Sequence, residues 1–208
     1  MPNSLNQRGF VSPVLIIIGS VVVLAIIFFV ATGSFKFDAS IDKPAQVSQD
    51  QSAAEEPKTF EKEGVSFNYP GDWQFQDSGA GLGGFLSPKE GSNDIFQENV
   101  IVHKVDVSVK PDITLKEVVD SVIRENEEDF ASSGSFELVD RSSVSLGGIE
   151  AEKVTYLASD ANITSGKAMS VVALKDNFAY VINYTAEEKS FDKFLDGVEL
   201  IISSFQVQ

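Results

Sequence analysis

The chain has 208 residues, with 16 basic against 31 acidic side chains, no cysteine and a single histidine. The lack of cysteine excludes disulfides, thiolate nucleophiles, Cys-ligated zinc and a lipobox lipid, and one histidine excludes a His-rich metal site. The net charge of −15 would repel a phosphate backbone and anionic lipid headgroups, which argues against nucleic acid as a partner.

Residues 11–33 form an uncharged and largely apolar stretch that follows a short segment, residues 1–10, containing Arg8. The apolar stretch is long enough for a membrane-spanning helix, in which the backbone satisfies its own hydrogen bonds. The positive-inside rule then places residues 1–10 in the cytoplasm and the acidic remainder outside. The sequence therefore predicts a single-pass signal anchor in the cell membrane.

Two alternatives for this segment stay open. Ala31 and Gly33 have the spacing of a signal-peptidase site, and cleavage near Gly33 would give a secreted protein, but the apolar stretch exceeds the roughly 7–15 residues of a usual signal peptide. The sequence Arg8-Gly9-Phe10 resembles a pilin-type processing site, but Val14 occupies the position where pilins usually carry a glutamate.

Residues 34–58 are rich in Ser, Ala, Gln, Asp and Glu and show no sustained apolar period. Such a segment does not bury enough apolar surface to offset the entropy of ordering it, and about 25 residues of coil span roughly 25–30 Å. We therefore expect a flexible linker that holds an extracytoplasmic domain, residues 59–208, near the membrane.

The domain opens with alternating residues typical of half-buried strands, at Val65, Phe67 and Tyr69 and then around Trp73 and Phe75. A longer strand is predicted over residues 99–109, with Val109 on the same apolar face as His103. Thr114 and Glu117 form a capping box that predicts the start of an amphipathic helix, for which Gly134 is a plausible stop.

Four further strands are predicted over residues 136–144, 149–158, 167–174 and 178–185. The pairs Gly147-Gly148 and Asp176-Asn177 suit tight hairpin turns, and apolar residues from Phe191 to Phe205 follow the rhythm of a second helix. This order predicts an α+β fold in which helices cover a central antiparallel sheet.

The stretch FNYPGDW, residues 67–73, is similar to the YP-x-x-W signature of the PsbP-like family. The later order of strands and helices, including NVIVHKVDVSV, TLKEVV and the hairpin AMSVVALKDNFAYVINYTA, also resembles that family. The resemblance implies an α/β/α sandwich and a mostly non-enzymatic function, since the family includes extrinsic photosystem subunits, small-GTPase-binding proteins and membrane-tethered bacterial proteins.

Three features of the sequence are candidate functional sites, and each has a simpler structural interpretation. The segment GAGLGG, residues 79–84, has the G-x-G-x-x-G spacing, but Pro88 and Gly91 oppose the helix that phosphate binding requires, so we expect a mobile hairpin loop. His103 stands on the apolar side of a strand and is interpreted as a partly buried structural residue. Residues 160–166 match a calcium loop poorly and are interpreted as a polar hairpin loop.

The acidic run at the end of the first helix is the remaining candidate, as a solvated helix face or as a patch for a basic partner; its members are Glu125, Glu127, Glu128 and Asp129. No catalytic residues, cofactor or metal ligands are predicted. We expect a non-catalytic binding or assembly module that contacts an envelope protein or a small ligand, in an oligomeric state the sequence does not specify. A carboxylate-dependent extracytoplasmic hydrolase and a pilin-like envelope subunit are the alternatives.

Overall fold

The computed structural model describes residues 55–77, 81–92, 94, 96–131, 134–159 and 165–208, with only the backbone at 129 and 131. The predicted anchor at residues 11–33 and most of the predicted linker lie outside this part of the chain. Within the described ranges, no helix is both long enough and apolar enough to span a membrane.

The described residues form ten strands, two α-helices and one 3₁₀ turn, the turn at Phe191–Lys193. The first helix, α1, spans Leu115–Ala131, and the second, α2, spans Leu195–Ser204. The strands are β1 Lys58–Lys62, β2 Val65–Tyr69, β3 Gln74–Gln76, β4 Gly83–Leu86, β5 Asn99–Asp106, β6 Ser135–Leu146, β7 Ile149–Ser159, β8 Gly166–Lys175, β9 Phe178–Glu187 and β10 Gln206–Val207.

Seven strands form an antiparallel sheet in the order β3-β4-β5-β9-β8-β7-β6, and the other three form a small sheet in the order β1-β2-β10. Helix α1 packs against β6, β7 and β8, whereas α2 packs against β2. The α+β class and the central antiparallel sheet covered by helices are therefore confirmed.

One face of the large sheet packs against α2 and the small sheet through aromatic side chains. Phe85 is fully buried, and its ring centroid lies 5.3 Å from that of Phe60 and 5.2 Å from that of Phe67. Phe205, at the end of α2, packs edge-on against Tyr180 of β9 at 5.9 Å. This face forms the largest hydrophobic cluster among the described residues.

The opposite face packs against α1 through smaller side chains. Val118, Val119 and Val122 of α1 contact a group of valines and alanines on the sheet, which includes Val154, Val172, Ala179 and Val181. The predicted capping box is confirmed at the start of α1: the Thr114 backbone N–H donates to Glu117 Oε2 at 2.9 Å, and the Glu117 N–H donates to Thr114 Oγ1 at 3.3 Å.

The two predicted hairpin turns are also confirmed. Gly147 and Gly148 have φ angles of +57° and +81°, and Asp176 and Asn177 have φ angles of +51° and +65°. Gly147 has a second constraint, because a Cβ at this position would lie 2.2 Å from the carbonyl oxygen of Phe205. The β6–β7 turn therefore packs closely on the end of α2.

The prediction that the long strand continues to Val109 was wrong, because β5 ends at Asp106. The Asp106 carboxylate accepts a hydrogen bond from the Ser108 backbone N–H at 2.8 Å, which turns the chain away from the sheet. Val109 is consequently 71% exposed.

Candidate interaction surface at the β6 edge

Strand β6 is the last strand of the large sheet, and within the described ranges it pairs only with β7. It is 12 residues long, and most of these residues are exposed. A strand in this position presents a row of backbone N–H and C=O groups that another extended chain can pair with.

A bulge in the middle of β6 brings two apolar side chains to the surface. Leu138 pairs with Tyr156 and Asp140 pairs with Thr155, so Val139 is the extra residue. A bulge bends its strand and changes the direction of the local side chains. Leu138 is 43% exposed and Val139 is 52% exposed, which places both among the four large apolar side chains most exposed in the described structure.

Arg141 connects this edge to the helix above it. Its guanidinium bonds to Glu152 of β7 at 2.5 Å and to Asp120 of α1 at 2.6 Å. The hydrogen bond to Glu152, followed in size by the one to Asp120, raises the pKa of Arg141 above its ordinary value. Burial of Asp120 acts to raise its pKa. The hydrogen bonds from Lys116 and Arg141 have the larger combined effect and lower the pKa of Asp120 below its ordinary value.

The predicted acidic patch is only partly a solvated face. Glu127 and Glu128 are exposed, whereas the Glu125 side chain is only 15% exposed and lies 3.8 Å from Arg124. Arg124 also lies 3.9 Å from Glu128, so part of the negative charge is balanced within the helix. The Asp129 side chain lies outside the described residues.

Acidic side chains also border the apolar pair on β6 itself. Glu137 and Asp140 flank Leu138 and Val139 and are exposed. Glu127 and Glu128 are exposed on α1, the helix that packs on β6. We call Glu137, Leu138, Val139 and Asp140 the β6 edge patch.

The sequence analysis did not single out the β6 edge patch. One signal was present: Leu138 and Val139 are adjacent apolar residues in a segment that otherwise alternates. Two neighbouring apolar residues cannot both face one side of a regular strand, so such a pair is consistent with a bulge. The edge position itself had no local signal, because it depends on which strands pair.

The glycine segment and His103 come together away from this edge. Gly83 and Gly84 begin β4, which pairs with β5, and the chain continues as a strand instead of opening a helix. The expected loop is thus shorter than predicted, and residues 78–80 lie outside the described ranges. A Cβ at Gly81 would lie 2.8 Å from Nδ1 of His103, so the glycine allows the chain to pass close to the imidazole. His103 is only 1% exposed, more deeply buried than expected.

The two remaining metal-site questions have short answers. The calcium-like segment falls mostly on residues 160–164, outside the described residues, and Gly166 begins β8. Among the side chains that the structure describes, no group of three or more His, Asp or Glu residues is arranged to hold a metal ion.

A buried carboxyl that sequence reasoning missed lies at the start of β5. Glu98 is 1% exposed, and its Oε2 accepts a 3.3 Å hydrogen bond from Ser87 Oγ. Burial, with smaller contributions from the charges of Glu90 and Asp94, raises the pKa of Glu98. No sequence pattern marked it, because Glu98 stands among polar residues in an apparent loop.

The sequence matches the family model described as PsbP-like protein over residues 14–207. The chain belongs to this family, which confirms the resemblance inferred from residues 67–73 and the order of elements. No curated protein matches the sequence.

Two solved structures share the fold at low sequence identity. LpqN of Mycobacterium tuberculosis, described as involved in cell envelope biogenesis, is 17% identical with a TM-score of 0.50, covering 74% of this chain and 91% of its own. The cyanobacterial PsbP protein (CyanoP) of Synechocystis is 16% identical with a TM-score of 0.53, covering 78% of this chain and 98% of its own.

Proposed function

We propose that this protein is a membrane-tethered, extracytoplasmic binding module without catalytic activity, and that its β6 edge accepts an extended segment of an envelope protein as an added strand. The observation that carries the proposal is the outer side of β6, which pairs with no other strand among the described residues and exposes Leu138 and Val139 at its bulge. The finer architecture in this proposal is an α/β/α sandwich preceded by a transmembrane helix at residues 11–33.

Strand addition matches the chemistry of the edge. Backbone hydrogen bonds to β6 would supply affinity, and apolar residues of the incoming strand would cover Leu138 and Val139. The bulge makes the edge irregular, so that only a strand that accommodates Val139 can pair along the full length. The irregular edge would thereby favour one partner over non-specific sheet extension.

The charge of the surface supports a basic partner. Glu137 and Asp140 flank the apolar pair, and Glu127 and Glu128 are exposed on the adjacent helix. A second copy of the chain would bring another net charge of −15 to this edge and would be repelled. The proposed partner is therefore an extended segment with alternating apolar and basic residues.

The membrane location of the proposal rests on the sequence. Residues 11–33 carry no charge, and residues 34–58 have the composition of a tether. The description of LpqN as involved in envelope biogenesis is in keeping with an envelope partner, although the likeness to LpqN concerns the fold.

Site-specific photocrosslinking in intact cells tests the proposal with the full-length chain. A crosslinker at Val139 is expected to capture one envelope protein through a basic segment, and a crosslinker at Val109, an exposed valine elsewhere, is the matched control. A peptide of the captured segment should then protect β6 amides from hydrogen exchange, with affinity that falls as salt rises.

Charge reversal sharpens the same test. Glu137→Lys with Asp140→Lys should abolish the Val139 crosslink and the protection of β6 by the peptide. Equal capture from Val109 and Val139, capture of a second copy only, or a captured segment without basic residues would each overturn the proposal.

A further inference from the structure

The interface between α1 and the sheet contains buried polar side chains in an otherwise aliphatic surface. On the sheet side, Ser170 of β8 and Asn183 of β9 are directly paired, and both are at most 3% exposed. Their chain neighbours Val171, Ile182 and Tyr184 belong to the aromatic core, so Ser170 and Asn183 face α1. Ser170 Oγ donates to Asn183 Oδ1 at 2.7 Å.

α1 also contributes a buried polar residue, Asn126, to this interface. One turn before Asn126, Val122 belongs to the cluster that contains Val154, Val172 and Val181, and one turn after it, Phe130 belongs to the cluster that contains Tyr156 and Ala168. In the register of β8, Ser170 stands between Ala168 and Val172 on this face. Asn126 is only 1% exposed and falls between these two groups on α1, so its side chain is enclosed in the same interface as Ser170 and Asn183.

In this interface one buried polar atom lacks a hydrogen-bond donor and another lacks an acceptor. Asn126 Nδ2 donates to the Val122 carbonyl at 2.7 Å, which fixes its amide and leaves Oδ1 as an acceptor. Asn183 Oδ1 accepts from Ser170, which leaves Nδ2 as a donor. Both remaining atoms are buried and have no protein partner in the described structure. Leaving such atoms unsatisfied costs about 1–3 kcal/mol each.

We propose that the α1–sheet interface binds one ordered water molecule between Asn126 Oδ1 and Asn183 Nδ2. The occupant must donate to the first atom and accept from the second, which water does in one position. A cation would meet the amide N–H of Asn183 unfavourably, and an anion would meet the Asn126 oxygen unfavourably.

This water would link α1 to the sheet at the level where the apolar contacts are interrupted. The helix above the β6 edge would then be held by valines at one end, Phe130 at the other and a water-mediated contact between them. Exchange of the water requires a small opening of α1, so the site would set how readily the helix moves.

A double-mutant cycle in the full-length protein, purified in mild detergent, tests the bridge. Leucine has the same branching and the same number of side-chain heavy atoms as asparagine, so Asn126→Leu and Asn183→Leu each remove one polar partner of the water. Each single variant should lower the protection of α1 amides in native-state hydrogen exchange by about 5- to 100-fold, because the other amide is left unsatisfied. The double variant should recover at least about 5-fold relative to the product of the two effects.

Asn99 provides the matched control pair. It is buried at 3% exposure, but its Nδ2 donates to the Gln97 carbonyl at 3.0 Å. Asn99→Leu with Asn126→Leu should therefore be additive.

The unmodified protein supplies an independent readout, since nuclear Overhauser transfer should connect a long-lived water to the Asn183 side-chain amide. Additivity of the Asn126 and Asn183 variants would overturn the proposal, and so would coupling without a water signal, which would mean that the two amides bond directly.

Discussion

The two faces of the seven-stranded sheet are built from different kinds of side chain. The α2 face is filled by large aromatic rings, including Phe60, Phe67, Phe85 and Phe205. The α1 face is filled by valines and alanines, and it also contains the buried amides of Asn126 and Asn183. Aromatic burial gives the α2 face a large apolar area per residue, whereas the α1 face depends on small contacts and satisfied polar groups.

This difference assigns different roles to the two faces. The α2 face holds the small sheet and Phe205 through its aromatic rings, so we expect it to contribute more to the stability of the domain. The α1 face adjoins the β6 edge patch, and Arg141 joins the two through its bonds to Asp120 and Glu152. The comparison predicts that equivalent perturbations cost more on the α2 face than on the α1 face.

The largest effect is expected from Phe85→Ala on the α2 face. Phe85 is fully buried against four rings, so the substitution leaves a cavity and should lower the free energy of unfolding by about 3–5 kcal/mol. Urea denaturation of the full-length protein in detergent measures this loss. Phe75→Ala is the control: Phe75 contacts the same ring but is 42% exposed, and it should cost about 1 kcal/mol. Equal losses would mean that burial does not distinguish the two positions.

A smaller effect is expected from Arg141→Met on the α1 face. The substitution removes the bonds to Asp120 and Glu152 and should cost about 1–2 kcal/mol, since partly exposed charge pairs are weakened by solvent. Hydrogen exchange should show the loss in α1 before the α2 face responds. Arg124→Met, whose ion pairs are longer at 3.8 and 3.9 Å, should cost about 0.3 kcal/mol. A uniform loss across both faces would contradict the prediction that the loss appears first in α1.

The smallest effect is a difference in pH dependence between Glu98 and Glu117. Burial raises the folded-state pKa of Glu98, so its protonated form favours folding, and its contribution is lost as pH rises through that pKa. Glu98→Gln should therefore increase stability at neutral pH and leave it little changed at acidic pH.

Glu117 should show the opposite sign. Lys110 and the Thr114 cap lower the pKa of Glu117 to about 2, so its contribution is present above its unfolded-state pKa and lost as pH falls towards 2. Glu117→Gln should lower stability at neutral pH and converge with the wild type at low pH. Thermal unfolding across this pH range tests both residues, and shifts of the same sign would contradict these assignments.

Much of the fold was predictable because its signals are local. Alternation identified β5 to β9, the Thr114–Glu117 pair identified the start of α1, and Gly147-Gly148 and Asp176-Asn177 identified the hairpins. The end of β5 was missed because the Asp106 turn interrupts an apolar alternation that continues to Val109. The 3₁₀ turn before α2 was missed because its apolar residues follow the same spacing as the helix.

The candidate site was less predictable. Its acidic residues were visible in the sequence, but Glu125 proved mostly buried, since the run lies at the boundary between the helix surface and the sheet. The apolar pair Leu138 and Val139 belonged to a predicted strand, and only the pairing of β6 with β7 alone placed that strand at an edge.

The sequence by itself determined the α+β class, the family, the two helices and most strands, because periodicity, capping and turn residues act over a few positions. Tertiary structure decided that β6 is an edge strand and that Val139 is the extra residue of its bulge. It also decided that Glu98, Asn126 and Asn183 are buried. These properties depend on contacts between residues distant in the chain, and burial changes the free energy of a polar group only after those contacts exclude water.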